Sequence, residues 1–348
     1  MQQATSSSSP QQSSARHKPP LAWIGQSFLA LLALIVVLYV GQNLIKEPVL
    51  FIQIVITGLQ LGFVYALIAL GYTMVYGIVK LINFAHGDIL MIGAYCGYYA
   101  FTWAQGTASP GLAIAFAFAL AMGISALTGV VVEKTCYRPL RNAPRINALI
   151  TAIGVSIVLE NGARVLPFMG PNPRQVRIPE ALTGVLQFSG LTISKVQVLT
   201  LATSIALMLV LTLFVQYTRT GKAMRAVSHD QQAALLMGIS VDRIVSITFA
   251  VGAALGGAGG VLFAMNFPMI DPYMGIMPGL KAFVAAVFGG IGSIPGAMLG
   301  GLVMGVAETL TKGFISTKLA DAVSFGILIV ILLVRPAGIL GKATREKV

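Results

Sequence analysis

The feature that most constrains this chain is a series of long, almost uncharged apolar runs. Eight of them approach or exceed the roughly 20 residues that a helix needs to cross a bilayer. Their predicted bounds are 21–41, 51–78, 88–104, 112–133, 146–168, 196–217, 244–266 and 319–334. Only 10% of the residues are charged, against roughly 25% in soluble domains, so the chain lacks the polar surface of a soluble fold. The pattern predicts an all-α fold, a polytopic transmembrane helical bundle.

A further apolar region, 279–311, is broken by "FGGIGSIPGAMLGG" (Phe288–Gly301). If this region leaves from the outer side and returns to it, 15 loop Lys and Arg residues lie inside and six outside. The positive-inside rule favours that arrangement, and a broken backbone is tolerated in a membrane where protein or water covers it. We therefore expect about eight spans plus a re-entrant pair, with ten spans as the alternative.

The same runs set the domain bounds. Residues 1–20 are polar and rich in Ser and Gln, which predicts a disordered cytoplasmic tail. A transmembrane domain is expected over 21–340, followed by a short cytoplasmic tail over 341–348. The net charge of +12 comes largely from basic residues in short loops, so it indicates orientation in a lipid membrane and not nucleic-acid binding.

A polar cluster interrupts the apolar sequence at "KLINFAHGDILMIGAY" (Lys80–Tyr95). One interpretation is a capped cytoplasmic turn, in which Asn83 or Asp88 caps a helix that begins near Ile89. The other is that Asn83, His86 and Asp88 line an inner gate of a translocation path. Both interpretations are compatible with the sequence.

The second break offers another candidate site. A helix is expected to end near Gly290 and the next to begin at Pro295, because proline suits a first helical position, with Ser293 as its cap. Such a helix would present a positive dipole end within the membrane, as discontinuous helices of transporters do toward anionic groups. Gly290, Ser293 and Pro295 are therefore candidates for the translocation path; the alternative is that the glycines only permit tight packing.

The loop 219–243, predicted to be cytoplasmic, contains "RTGKAMRAVSHDQQAALLMGI" (Arg219–Ile239). It predicts a short helix with an apolar stripe, stopped by Gly238, which would either dock into a partner or lie on the membrane surface. ABC importer permeases carry Glu-Ala-Ala followed three residues later by Gly, and Gln232-Ala233-Ala234 with Gly238 is similar in part. The candidate ATPase-coupling residues are His229, Asp230, Ala233, Ala234 and Gly238.

The few charged residues near or within spans suggest local roles. Glu160 and Arg164 are four apart, which predicts an ion pair on one helix face. Lys281, Glu308 and Asp321 are expected near span ends, within reach of water. A face of small residues for close helix contact is predicted at Gly252, Gly256 and Gly260.

The chain contains no phosphate-binding G-x-x-x-x-G-K-[ST] motif, so ATP would have to be hydrolysed by a separate subunit. Nothing in the sequence indicates a cofactor, a metal site or catalytic residues. We therefore expect a transport protein and not an enzyme.

Three blocks together resemble the branched-chain amino acid ABC-transporter permeases of the LivH type. They are "GLQLGFVYALIALGYTMVYGIVKLINFAHGDILMIGAY" (Gly58–Tyr95), "RTGKAMRAVSHDQQAALLMGI" (Arg219–Ile239) and "KAFVAAVFGGIGSIPGAMLGGLVMGVAE" (Lys281–Glu308). The resemblance covers roughly residues 48–340. It implies a subunit of the bacterial inner membrane that translocates leucine, isoleucine and valine.

The resemblance also implies partners: a second, LivM-like permease subunit, two cytoplasmic ATP-binding subunits and a periplasmic substrate-binding protein. Urea and short-amide permeases have a similar pattern and form the nearest alternative. A secondary amino acid carrier and an ungated channel are the alternatives from other classes. A carrier should show ion or proton sites within the membrane, and a channel would not need the helix at His229–Gly238.

Overall fold

The computed structural model describes residues 41–42, 44–105, 109–141, 143–188, 190–335 and 337–341. The predicted tail 1–20, nearly all of the predicted span 21–41 and most of the tail 341–348 lie outside these residues. Residues 49–348 form one compact unit, separate from residues 1–48, and the fold described below is that of the larger unit.

Helices dominate the described residues. The α-helices are α1 (Pro48–Val79), α2 (His86–Ala104), α3 (Pro110–Val132), α4 (Arg145–Val165), α5 (Lys195–Tyr217), α6 (Arg219–His229), α7 (Gln231–Leu236), α8 (Val241–Asn266), α9 (Ile276–Gly289), α10 (Ile294–Leu310) and α11 (Ala320–Val334). Single π-helical turns follow α3 at Glu133–Tyr137 and α10 at Thr311–Ile315. Short 3-10 turns lie at Arg138–Leu140, Glu180–Leu182 and Thr317–Leu319.

Four short strands add two small antiparallel ladders. The strands are β1 (Arg174–Gln175), β2 (Val185–Phe188), β3 (Leu191–Ser194) and β4 (Met269–Ile270). β2 and β3 form a hairpin with Val185 opposite Ser194, and β1 pairs with β4 with Arg174 opposite Ile270.

The predicted fold class, a polytopic helical bundle, is confirmed. Within the described residues, seven helical segments are long and apolar enough to cross a membrane: Pro48–Val79, Pro110–Leu140, Ile146–Val165, Lys195–Tyr217, Val241–Asn266, Ile294–Ile315 and Thr317–Val334. α2 occupies the predicted span 88–104 but carries His86 and Asp88 in its first turn. α9 is a shorter apolar helix.

Small residues allow the central helices to pack almost backbone to backbone. A Cβ on Gly93 of α2 would collide with the backbone of Gly257 in α8, and one on Gly257 would lie 2.7 Å from the carbonyl oxygen of Ala121 in α3. The predicted contact face of α8 is confirmed: Gly252, Gly256 and Gly260 lie against Gly71, His86 and Leu90. Close approach of this kind gives membrane helices their dispersion contacts.

Contacts between connecting segments define two ends of the bundle. One end is called here the α7 end. There, Gln231 Nε2 donates to the backbone carbonyl of Ile78 at 3.2 Å, and the amide of Ile339 donates to the backbone carbonyl of Phe288 at 3.0 Å. At the hairpin end, Gln53 Nε2 at the start of α1 donates to the carbonyl of Thr192 at 2.6 Å.

The predicted broken pair corresponds to α9 and α10. Gly290 adopts a φ of +106°, a left-handed conformation that glycine tolerates without strain. The amide of Gly296 donates to Ser293 Oγ at 3.2 Å, so Ser293 is the predicted cap, and Pro295 lies in the first turn of α10. α9 begins beside the start of α2, the chain turns at the α7 end, and α10 returns to the hairpin end. That the pair is re-entrant stays a prediction. Its second member, Ile294–Ile315, is long enough to span.

Candidate functional site

The polar cluster after α1 folds back beside α1. Lys80, with a φ of +59°, reverses the chain. The ring of His86 then packs edge-on against Tyr72 at 4.8 Å between centroids, and it fills the space that a Cβ on Gly71 would need. Gly71 precedes Val79, the last residue of α1, by eight positions, or about 12 Å along a helix. α2 therefore begins inside the bundle, about 12 Å from the end of α1.

The predicted helix cap at this point is wrong. α2 begins at His86, three residues before Ile89, and its N-cap residue Ala85 makes no side-chain cap. The side chains of Asn83 and Asp88 bind other segments instead: Tyr137 Oη donates to Asn83 Oδ1 at 2.9 Å, and Ser156 Oγ donates to Asp88 Oδ2 at 2.5 Å.

A cavity of about 100 Å³ lies at the start of α2. Its polar wall consists of Asp88, Ser156 and Glu160, and its other lining residues are Tyr72, Phe84, Gly87, Gly275, Ile276, Gly279 and Leu280. α9 also begins here, since a Cβ on Gly275 would collide with the carbonyl of Gly87. Ligand pockets usually enclose roughly 300–1,000 Å³. This cavity is too small to be a complete ligand site, and its lining can form only one part of such a site.

The cavity is electronegative. Asp88 is 2% exposed, and Ser156 Oγ lies within 3.4 Å of Glu160 Oε1 as well as against Asp88. Among the described residues, neither carboxyl group forms an ion pair with Lys or Arg. A buried carboxylate without a partner is costly, so this wall favours a cation or a proton.

The predicted ion pair between Glu160 and Arg164 is wrong. Arg164 Nη1 donates to Tyr273 Oη at 2.6 Å, and its guanidinium lies 5.4 Å from the centroid of the Tyr273 ring. Arg164 is therefore tied to the segment before α9, and Glu160 remains with Asp88 at the cavity.

The other candidate path residues occupy two different places. His86 is 1% exposed and lies next to the cavity wall without lining it. Within the described residues its Nε2 atom has no hydrogen-bond partner. Gly290, Ser293 and Pro295 lie in the turn at the α7 end, where a Cβ on the neighbouring Gly292 would lie 3.8 Å from Gly77. The structure thus places Asp88 at the cavity and the α9–α10 turn away from it. A role of that turn in the path stays a prediction.

Glycines of the α9–α10 pair have a packing role. A Cβ on Gly300 would collide with the carbonyl of Ala285, and one on Gly289 would collide with the carbonyl of Gly296. These contacts support the alternative that the glycines let α9 and α10 pack tightly.

The short helix predicted at Asp230–Gly238, called here the coupling segment, is confirmed as a structure. Asp230 Oδ1 accepts from the amides of Gln232 and Ala233 at 2.8 and 3.0 Å, so Asp230 begins α7, directly after His229 ends α6. Gly238 ends it with a φ of +79°, and the amide of Ile239 donates to the carbonyl of Ala234 at 3.0 Å.

The coupling segment exposes apolar side chains. Ala234 is buried, whereas Leu236 and Met237 are 89% and 81% exposed. Exposed apolar residues that cluster on one short helix indicate a surface for a partner, although the six residues of α7 offer little surface by themselves.

Tyr72 and Ser156 line the cavity, although neither was predicted from the sequence. Ser156 lies four residues before Glu160, a spacing that puts both on one face of α4, and this signal was available. Tyr72 lies within a continuous apolar run, where nothing in the pattern distinguishes it from a residue of the helical core.

A family model and several known proteins are similar to this chain over nearly the whole described bundle. A family model for the permease component of branched-chain amino acid transport systems matches residues 54–332. LivH of Salmonella typhimurium, a high-affinity branched-chain amino acid permease protein, is 45% identical over 306 residues, covering 86% of this chain and 98% of the relative. BraD of Pseudomonas aeruginosa, with the same description, is 43% identical over 305 residues, covering 86% and 98%. LivM of Salmonella typhimurium is 27% identical over 299 residues, covering 80% and 68%.

Proposed function

Because the chain belongs to the family of branched-chain amino acid transport permeases, we propose that it translocates leucine, isoleucine and valine as the membrane subunit of an ATP-driven importer. The proposal includes a second, LivM-like permease, two cytoplasmic ATP-binding subunits and a periplasmic substrate-binding protein. The chain lies in the bacterial inner membrane with both termini in the cytoplasm, and the α7 end is the cytoplasmic end.

The coupling segment supports an ATP-driven mechanism. Its exposed Leu236 and Met237 fit an apolar groove on a cytoplasmic ATPase, and the tie from Gln231 to the carbonyl of Ile78 connects it to α1. Binding of ATP to the partner subunits moves the segment, and the permease switches between outward- and inward-facing states that each ligand stabilises differently.

The residues that line the cavity support an amino acid as the substrate. Asp88 and Glu160, which share the hydroxyl of Ser156, attract the α-ammonium group. Phe84, Ile276 and Leu280 provide an apolar wall for a branched side chain. Ionisable groups at this depth mark substrate or ion pathways in membrane proteins. Urea and short amides carry no positive charge for the two carboxylates, so the geometry favours amino acids over them. The second permease completes the site, since this wall alone is small.

One observation favours a second candidate, a proton-coupled amino acid carrier. Two carboxyl groups that meet inside a membrane bundle are also the components of a proton site. The two mechanisms differ in their energy source, which a transport assay separates directly.

The test is uptake of radiolabelled leucine into proteoliposomes that contain this chain, the second permease and the ATPases, with binding protein outside. We expect uptake that requires internal ATP and is insensitive to a protonophore. Uptake that follows a proton gradient without ATP would establish the carrier, and ATP-driven uptake of urea but not leucine would establish the amide permease.

The cavity is tested in the same system. Asp88→Asn should lower the maximal leucine uptake rate at least about tenfold at saturating loaded binding protein, because a hydrogen bond to a charged group contributes roughly 1.5–3 kcal/mol. Ser204→Ala is the matched control, since Ser204 is fully buried on α5 outside the cavity lining. An unchanged rate in Asp88→Asn would remove the carboxylate from the path.

A further inference from the structure

A charged cluster lies where the coupling segment joins α8. Asp242, the second residue of α8, follows Gly238 by four positions. Arg138 Nη2 donates to Asp242 Oδ2 at 2.5 Å, and Arg141 forms ion pairs with both Asp242 and Glu133. The first turn after the coupling segment is thereby joined to the short turns that connect α3 with α4.

The cluster extends from the surface into the bundle. Asp242 is half exposed, whereas the Glu133 carboxylate is fully buried and also accepts a hydrogen bond from Ser246 Oγ of α8 at 2.6 Å. Exposed ion pairs contribute little on their own, but removal of one member of a buried pair is strongly unfavourable. Two contacts from this pair, Glu133 with Ser246 and Arg141 with Asp242, therefore hold the end of α3 against α8.

Tyr137, next to Arg138, leads from this cluster to the cavity. It is 1% exposed, and its hydroxyl donates to Asn83 Oδ1 at 2.9 Å. Asn83 is itself 2% exposed, and its backbone carbonyl accepts a hydrogen bond from the amide of His86 at 3.2 Å. His86 begins α2, whose next two residues line the cavity.

We propose that Tyr137, Arg138 and Arg141 are positioning residues that transmit movement of the coupling segment to the start of α2. The connection runs from Asp242 through the turns at 133–141 to Asn83, and from there to the cavity wall at Gly87 and Asp88. This inference rests on the proposed function, because it requires that an ATPase moves the coupling segment.

The connection is short and is built from buried, hydrogen-bonded groups at its inner half. Such chains of packed side chains can carry coupling between sites, but only a measured coupling identifies one. A neighbouring contact, from Gln231 to the carbonyl of Ile78, reaches α1 and not α2. The test must therefore report on the start of α2 and on the cavity.

The experiment uses the assembled importer in proteoliposomes and two readouts. The first is leucine transported per ATP hydrolysed. The second is the rate at which a water-soluble thiol reagent modifies Ile276→Cys at the cavity, with and without ATP, in a background that lacks Cys96 and Cys136. The second readout needs no knowledge of the substrate, so it separates failure of this inference from failure of the proposed function.

Tyr137→Phe removes only the hydroxyl that binds Asn83 and keeps the ring against Phe249, at 5.3 Å between centroids. We expect transport per ATP to fall at least about fivefold, the lower range of coupling between sites, while ATP hydrolysis continues. The ATP-dependent change in modification of Ile276→Cys should disappear. Thr135→Val is the matched control: Thr135 lies in the same π-helical turn, is exposed and bonds only locally.

Asp242→Asn provides the second variant, at a half-exposed position where a change in charge leaves the fold intact. Each variant is first checked for co-purification with the ATPase subunits. If the residues act in one connection, the double variant Tyr137→Phe/Asp242→Asn should lose no more transport per ATP than the single variant with the larger loss. Losses that multiply in the double variant, or wild-type coupling and wild-type modification rates in both single variants, would overturn the proposal.

Discussion

Replacement of Glu308 should destabilise the permease more than replacement of its partner Lys281. Both side chains were expected to reach water from span ends, and that expectation is wrong: Glu308 is 1% and Lys281 5% exposed. Glu308 accepts from Lys281 Nζ at 2.7 Å, from Lys312 Nζ at 2.6 Å and from Tyr65 Oη at 2.9 Å. These three donors lie in α1, in α9 and in the π-helical turn after α10, so the carboxylate of Glu308 connects these elements.

The contacts set the expected magnitudes. Lys281→Met removes one of three donors and leaves two, which should cost about 2 kcal/mol, as for one hydrogen bond to a charged group. Glu308→Gln leaves Lys281 buried with only Asp321, at 2.7 Å and half exposed, as its charged partner. Because only this half-exposed carboxylate then balances the buried ammonium group, the cost should approach that of breaking a buried ion pair, about 3–5 kcal/mol. In Lys281→Met/Glu308→Met neither charge remains, so the double variant should be more stable than Glu308→Gln.

Thermal unfolding of the detergent-solubilised chain, followed by the loss of its monodisperse chromatographic peak, measures this order. At about 2 °C per kcal/mol for a chain of this size, we expect the midpoint to fall by about 4 °C in Lys281→Met and about 8 °C in Glu308→Gln. Lys318→Met is the control, because Lys318 lies in an exposed turn. The reasoning would be refuted if Glu308→Gln had the unfolding midpoint of the wild type, or if its midpoint fell by no more than that of Lys281→Met.

Three further predictions concern the coupling segment and the topology. Leu236→Glu should abolish co-purification with the ATPase while the chain still inserts, because Leu236 is 89% exposed. Gln232→Glu, which restores the residue of the ABC permease motif, should still co-purify with the ATPase. Equal binding of the ATPase by the two variants would contradict the docking surface. A reporter fused after Val348 should be active only when it is a cytoplasmic type, and periplasmic activity would reverse the orientation. Ser293→Cys in a background without Cys96 and Cys136 should react with a water-soluble thiol reagent from the α7 side of oriented vesicles; reaction from the opposite side alone would be inconsistent with the observed turn.

Local signals predicted the elements that local interactions determine. Asp230 and Gly238 bound α7 because a capping carboxylate and a left-handed glycine act within a few residues. Ser293 and Pro295 begin α10 for the same kind of reason. The long apolar runs predicted most spans because the length of a membrane helix follows from the thickness of the bilayer.

The cavity could not be predicted in this way, because it depends on distant contacts. Nothing local in the sequence tells how far the chain folds back after Lys80, so the polar cluster was expected at a span end. The depth of α2 follows from the fit of His86 beside Gly71 and Gly256, residues that are far apart in sequence. The buried pair of Lys281 and Glu308 has the same origin, since its partners lie 27 residues apart.

Helix starts inside the bundle, which were predicted at the α9–α10 turn, occur at the cavity instead. α2 and α9 both begin at the cavity and run toward opposite ends, so that both present first-turn amide groups there. Asp88 lies in the first turn of α2, where the positive end of the helix dipole stabilises a carboxylate. This dipole reduces the cost of holding Asp88 beside Glu160 without a basic partner, and the pair remains available to an incoming ammonium group. Glycine at 87, 275 and 279 permits the arrangement, because a Cβ on any of them would lie within 2.7 Å of the backbone of the facing helix or its connecting loop.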